Sequence, residues 1–379
     1  MRIGLDVRYI SHALTGGVRS YVYHLARELP RCAPECEFFF YADAKAPFEL
    51  KDLPGNVALR VLPWRNPLSS VRNDFVIGRW MEKDHVDLAH YPANYGPRVN
   101  VPVVLTLHDT LNLFPMSQHL RGFGRRPRQV ALMLYLGRMT RATMSWASHV
   151  ITVSEHARQD IAARGQYQLD RITAIHEAAS DSFSRITDQR LLERARRRFD
   201  LRPQIVLADG IKNPAAVIDA YSRLPEALRC STQLVFFSRE AVPRLAVAAA
   251  LEKWDVRFIP QPSTEDLVSL MNLASVFAFP SWYEGFGIPL VEAMQCGTPI
   301  VCSSRGSIPE IVGEAGLVFD LEDPARFVAH LQSLLENQRL RSELGDRALS
   351  RSKCFSWRRS ALQTLQVYRQ VVSAHRSAA

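Results

Sequence analysis

Short β-branched apolar runs alternate with amphipathic stretches along the whole chain. Residues 2–8, 37–41, 57–62, 86–90, 101–108 and 150–153 read as strands. Runs such as Val101-Pro-Val-Val-Leu-Thr-Leu are apolar without alternation, as strands buried on both faces of a parallel sheet are. Between them, residues 16–29 put Val18, Val22, Leu25 and Leu29 on one helical face, and residues 68–83 and 128–147 are helical too. A charged helical segment, 188–199, opens a second series. Its strands are expected at 204–208, 233–237, 256–259, 276–279, 299–302 and 317–319. Its helices are expected at 215–223, 242–253, 264–272, 289–296 and 324–335. Ser263 followed by Asp266 is a capping-box signature for the third of these helices. Residues 356–373 close the chain with a stripe of Leu362, Leu365, Tyr368 and Val372.

This rhythm predicts an α/β protein of two doubly wound, Rossmann-like domains, residues 1–180 and 181–356. In such sheets ligands bind outside the carboxyl ends of the strands, so motifs at strand ends carry the chemistry. Two domains of this kind facing each other make a cleft.

Composition adds bounds. The chain has 379 residues, 47% hydrophobic and 22% charged, as ordinary globular proteins do. An aspartate at position 6 interrupts what a secretory leader needs, and no apolar run approaches the ~20 residues of a membrane span. The six cysteines include one close pair, Cys32 and Cys36, without a second pair or a histidine cluster. They read as reduced, mostly buried thiols in a cytoplasmic protein rather than a zinc site. The net charge of +9 favours phosphorylated small molecules, anionic membrane surfaces or nucleic acid. No nucleic-acid motif and no aromatic-rich basic stripe is present, so nucleic acid is not expected as a partner. Arg121, Arg125, Arg126 and Arg128 precede an apolar helix, which points to peripheral contact with an anionic membrane or a lipid diphosphate.

The strongest motif is Phe279-Pro-Ser-Trp-Tyr-Glu-Gly-Phe-Gly-Ile-Pro-Leu-Val-Glu. A buried strand ends in a loop holding Glu284, and a helix follows that holds Glu292. Gly285 and Gly287 flank Phe286 and let backbone approach a ligand. Pro289 suits the first turn, and a helix N-terminus there offers free N–H groups to a diphosphate.

This stretch resembles the donor-site signature of retaining glycosyltransferases of the GT-B fold, specifically glycosyltransferase family 4. The resemblance covers nearly the whole chain and is tightest over residues 266–320, which include Ser307-Ile-Pro-Glu-Ile-Val-Gly. It implies that Glu284 holds donor-sugar hydroxyls with the backbone of Gly285, Phe286, Gly287 and Ile288. It implies that Glu292 binds the nucleotide ribose, and that Lys212, in Gly210-Ile-Lys-Asn-Pro, binds the diphosphate. Gly16 and Gly17, in Thr15-Gly-Gly-Val, match the family's glycine loop, and His108-Asp109 matches its sugar-facing histidine. Ser154-Glu155-His156 matches a structural helix start, and helix 357–379 would pack back onto the first domain. Three departures stand out. The loop at Lys212 is short and lacks a second basic residue, Ser238 replaces a glycine, and the base-binding loop around Pro262 reads Pro-Gln-Pro-Ser. Arg239 is a candidate for the missing charge.

The resemblance implies a retaining, metal-independent transfer of a mannose- or glucose-type hexose from a GDP- or UDP-linked donor. The acceptor would be a glycan or a lipid-linked molecule, in surface polysaccharide or glycolipid synthesis at the inner face of the cytoplasmic membrane. No Asp-x-Asp metal motif is seen, and no other cofactor is expected. Other readings of the same architecture are a sugar-nucleotide epimerase, a glycan phosphorylase, or a non-catalytic binder of nucleotides or glycans.

Overall fold

The computed structural model describes residues 1–12, 16–114 and 127–378, with residues 127–129 and 378 described by backbone alone. The chain forms two compact units, Met1–Glu177 with Trp357–Ala379, and Ala178–Ser356. Thr15 and Arg121, Arg125 and Arg126 lie outside the described residues, as does the side chain of Arg128.

The first unit is built on strands β1 Arg2–Asp6, β2 Glu37–Asp43, β3 Val57–Leu62, β4 Leu88–Tyr91, β5 Val103–Thr106, β6 His149–Thr152 and β7 Ile172–Ala174. They form one parallel sheet in the order β3-β2-β1-β4-β5-β6-β7. All four residues of β4 and of β5 are buried, and apart from His90 they are apolar, aromatic or, in Thr106, small and polar. β5 begins only at Val103, because Pro102 has no N–H for the ladder. Helices α1 Gly17–Cys32, α2 Pro67–Lys83, α3 Pro127–Trp146 and α4 Glu155–Gly165 connect the strands. Asn66 starts α2 by accepting from the Leu68 N–H, and Ser69 caps the Asn66 N–H in return.

The C-terminal helix, Trp357–Ala378, packs on α1. Trp357 stacks on His24 at 4.9 Å and meets the edge of Tyr21 at 5.9 Å. Further along, Tyr368 bonds His90 Nδ1, while His90 Nε2 bonds Thr106. Burial pushes His90 down to about 3, so this ring is neutral.

The second unit holds β8 Gln204–Asp209, β9 Thr232–Ser238, β10 Val256–Pro260, β11 Val276–Phe279, β12 Ile300–Ser303 and β13 Gly316–Phe319. Its parallel order is β10-β9-β8-β11-β12-β13, the doubly wound Rossmann arrangement. The helices are α5 Gln189–Phe199, α6 Pro214–Ser222, α7 Glu226–Ser231, α8 Leu245–Lys253, α9 Thr264–Leu273, α10 Ile288–Cys296, α11 Ile308–Val312, α12 Pro324–Glu336 and α13 Gln338–Ser352. Strand order reverses between β8 and β11, and that crevice is where a ligand is expected in this unit.

Among the described residues, β7, α7, α11 and α13 lie outside the expected set, as do two single 3₁₀ turns, Leu111–Leu113 and Leu169–Arg171. The helix expected from residue 242 begins at Leu245. The thiols also differ from expectation: Cys36, Cys296 and Cys302 are buried, but Cys230 and Cys354 are exposed. No described helix is long and apolar enough to cross a membrane.

Candidate active site

In the second unit, the chain leaves β8 at Asp209 and turns sharply into α6. Asp209 Oδ1 accepts from the Ile211 N–H at 2.9 Å, and the Lys212 N–H bonds the Asp209 carbonyl at 3.2 Å. Lys212 is thereby set at the carboxyl end of β8. On the next strand, β11 runs into the loop that carries Glu284. The two loops flank the strand reversal, and their side chains meet: Lys212 Nζ lies 2.7 Å from Glu284 Oε1. Ser281 Oγ donates to the same oxygen at 2.7 Å. Asn213 Nδ2 ties the loops together through the Pro280 carbonyl at 3.0 Å.

The backbone of Glu284 is fixed from the end of β12. The Ser307 N–H donates to its carbonyl at 3.2 Å, and the Ser307 hydroxyl is shared between that carbonyl at 3.1 Å and Phe286 O at 2.9 Å. Ser303 Oγ holds the Ser281 carbonyl at 2.6 Å. Gly306 adopts φ 62°, and a Cβ there would lie 2.5 Å from Glu284 O. Only glycine lets these two backbones approach so closely. Gly287, at φ 100°, caps α10, with Pro289 in the first turn as expected.

Glu292 sits within α10, and among the described residues its carboxyl has no hydrogen-bond partner. Burial pushes it up to about 7; Arg239 opposes that rise and Asp209 adds to it. Burial likewise raises Asp209, against the Ile211 N–H, Lys212 and Arg239, with Glu284 raising it further. Arg239 is exposed just beyond β9 and has no ion-pair partner among the described residues. Lys212, Glu284, Glu292 and Arg239 thus belong to one electrostatic cluster at the strand ends, with Asp209 as an unforeseen fifth member. Pro262 follows β10, two strands out from β8.

In the first unit, Gly16 caps α1 with φ 128°, a conformation that side-chain-bearing residues rarely adopt, and Gly17 opens the helix. His108 lies just past β5. Its Nε2–H donates to Pro92 O at 2.9 Å, and Nδ1 faces Glu177 Oε1 at 3.2 Å. The edge of Tyr21 packs on the ring at 4.8 Å. Burial alone would lower this histidine, but Glu177, the Pro92 carbonyl and Asp109 together raise it, so the charged ring is favoured. Both ring nitrogens are therefore committed within this unit. Asp109 accepts from the Leu111 N–H at 2.9 Å, shaping the turn that follows.

Sequence reasoning missed Asp209, Ser281, Gly306, Ser307 and Glu177 as parts of these clusters. Asp209 was visible as the last residue of a strand, and Ser307 stood at the head of a quoted motif. Nothing local marks Glu177. Among the described residues, no group of three or more His, Cys, Asp or Glu side chains could hold a metal ion.

Two parallel Rossmann-like units are the architecture of the GT-B fold. Comparison with known proteins agrees. Residues 15–182 match the model described as Glycosyltransferase Family 4, and residues 208–351 match that described as Glycosyl transferases group 1. The chain is 30% identical over 301 residues to the O-antigen chain mannosyltransferase B of Escherichia coli, covering 76% of each protein. It is 26% identical over 291 residues to the serotype-specific mannosyltransferase WbdA of Escherichia coli, covering 73% of this chain but only 35% of that longer relative. Among solved structures, sucrose-phosphate synthase from Thermosynechococcus elongatus aligns with a TM-score of 0.73 at 20% identity, over 98% of this chain and 99% of that one. Anabaena HepE in complex with UDP and glucose aligns at 0.68 and 15%, over 97% and 98%. These two structural likenesses carry the fold alone. The chain is a glycosyltransferase and belongs to glycosyltransferase family 4.

Proposed function

We propose that this chain is a retaining hexosyltransferase, moving a mannose- or glucose-type hexose from a GDP- or UDP-sugar to a glycan or lipid-linked acceptor in surface-polysaccharide synthesis at the inner membrane face. The observation that carries the reading is the Lys212–Glu284 pair at 2.7 Å, on the two strands that flank the chain reversal. The name of the O-antigen mannosyltransferase supports a mannose-type sugar, and HepE crystallised with UDP and glucose supports a nucleoside-diphosphate donor.

An arriving diphosphate competes with Glu284 for the Lys212 ammonium. Lys212 turns to the phosphates, and the freed carboxylate accepts hydrogen bonds from sugar hydroxyls. The N–H groups at the start of α10 face the same negative charge. As the bond from the anomeric carbon to the diphosphate oxygen breaks, the acceptor oxygen bonds that carbon from the same face. The acceptor proton passes to the departing phosphate. Lys212 and the helix terminus stabilise the developing charge, a contribution of about 10²–10³-fold for one well-placed donor. They supply the positive charge that a metal supplies in other designs, so the transfer proceeds without one. Glu292, ionised, accepts from the ribose diol.

The test is a thermal-shift panel of GDP-, UDP-, ADP- and dTDP-sugars in EDTA, beside Glu292→Ala. One nucleotide series should raise the wild-type midpoint and not the variant's, because a ligand of the folded state stabilises by mass action. The product formed with that donor should keep the donor's anomeric configuration by NMR. No shift with any nucleotide sugar, or an inverted product, overturns the proposal.

A further inference from the structure

Of the aromatic rings in the second unit, Trp282 alone is exposed among the described residues, at 65%. The other rings are buried or half-buried; Phe237, Phe277 and Phe279 pack in series, and Phe286 meets the edge of Phe355. Among the described residues Trp282 makes no ring contact, and its indole N–H has no hydrogen-bond partner. A single exposed apolar side chain is ordinary on a protein surface. The place of this one and the stiffness of its loop are not.

Trp282 stands in the loop between β11 and α10, two positions before Glu284. The chain is tied down on both sides of it. Ahead of it, Asn213 holds the Pro280 carbonyl and Ser303 holds the Ser281 carbonyl. Behind it, Ser307 holds the Glu284 carbonyl. The backbone under the ring is therefore fixed, and the ring turns only about its own two side-chain bonds, so a ligand removes little freedom by covering it. An indole face is electron-rich, and its N–H is a donor at the ring's edge. The C–H face of a pyranose is apolar and weakly positive, and hydroxyls surround it. A hexose thus matches both halves of the side chain. In the proposed reaction the transferred hexose is held by Glu284 and the backbone that follows it, and the nucleoside by Glu292 in α10. Trp282 lies on the other side of Glu284 in the chain from both, which leaves the incoming hexose as its ligand.

We infer that Trp282 is the platform on which the reacting hexose of the acceptor stacks while Glu284 holds the donor hexose. The inference rests on the hexosyltransferase reading of this site and adds the class of acceptor at its reacting end: a pyranose with an unobstructed C–H face, free or at the tip of a longer chain. The unit that binds the donor then also selects what receives the sugar.

The experiment uses the full chain with methyl α-mannoside, methyl α-glucoside and an α-linked mannobiose as soluble probes. Wild-type intrinsic fluorescence should change as a probe is added without donor, and Trp282→Phe should lose that change. In transfer assays with the donor picked by thermal shift, Trp282→Ala should raise the acceptor KM by ~tenfold, as truncating a central aromatic contact does. Trp282→Phe should restore most of that loss. The ratio of transfer to donor hydrolysis should fall in Trp282→Ala, because water needs no platform. The ring is exposed, so the melting temperature and the donor thermal shift should not change. A wild-type acceptor KM in Trp282→Ala overturns the inference, as does a Phe variant no better than the Ala one. An unchanged ratio of transfer to hydrolysis, or a lost donor shift, assigns the ring to the donor and overturns it too. So does a wild type that neither responds to a probe in fluorescence nor transfers to one. A wild type that binds a probe through Trp282 but shows no donor shift would count against the donor reading and not against this platform.

Discussion

Replacing Gly306 by alanine adds one carbon, 2.5 Å from the carbonyl oxygen of Glu284. An ordinary C···O contact is ~3.3 Å, so one backbone must move by about 0.8 Å. Gly306 also has φ 62°, where a non-glycine residue costs roughly 1–2 kcal/mol. For a unit of this size, 1 kcal/mol lowers the melting temperature by about 2–4 °C. The protein should therefore stay folded and melt several degrees lower. Activity should suffer far more. Glu284 is held through its own backbone by Ser307 and through its carboxylate by Ser281 and Lys212. A misplacement approaching 1 Å of a group that positions substrate costs about 10²-fold in rate. The assay is kcat/KM for transfer, paired with thermal melts, with Glu284→Gln setting the floor. Gly306→Ala should fall most of the way to that floor. A variant that melts lower but transfers at the wild-type rate would refute the idea that this turn positions Glu284.

Glu292 is raised to about 7, so its own contribution to stability is complete below the unfolded value and is lost as pH rises from there through 7. Glu292→Gln removes that slope and should gain on the order of 2 kcal/mol over wild type at pH 8 relative to pH 5, read by urea unfolding; equal slopes would show that the carboxyl is not buried. His108 is raised by Glu177, so its contribution is complete below the ordinary histidine range and fades as pH climbs through the raised value. Glu177→Gln keeps the shape but not the charge, and should destabilise more at pH 6 than at pH 9; an equal loss at both would mean that Glu177 does not charge the ring. Arg239→Ala removes the unpaired cation beside Glu292 and should weaken nucleotide-sugar binding by about 1.5 kcal/mol, roughly tenfold in Kd. Unchanged affinity would sink its role in holding the diphosphate.

The doubly wound character was legible because parallel strands buried on both faces leave unbroken apolar runs, as in β5 and β11. β7 escaped notice because three residues, Ile-Thr-Ala, carry no period. α13 escaped because Gln338–Ser352 buries only Leu344, Gly345, Ala348 and Ser352 beneath a charged surface. Lys212, Glu284 and Glu292 could be named from motifs, since the first two lie just beyond strand ends and Glu292 lies in the helix that follows the second. What holds them could not. Ser307 reaches back 23 positions to Glu284, and Glu177 reaches 69 positions to His108. Such partners are set by strand order, which no window of the sequence displays. The short loop at Lys212 looked like a loss of charge, yet in the structure it aims that lysine at Glu284.

The C-terminal helix gives the molecule an unusual order of manufacture. It belongs to the first unit, where Trp357 covers Tyr21 and His24 and Tyr368 occupies His90. A ribosome that has made the first 177 residues must therefore make the whole of Ala178–Ser356 before it supplies the missing helix. At ~5–20 residues per second that wait is roughly 10 to 35 s. Throughout it the second unit, contiguous in sequence, is free to fold first, while α1 of the older unit stays uncovered. A stop codon placed after Ser356 would then damage the unit that was translated first and spare the one translated last.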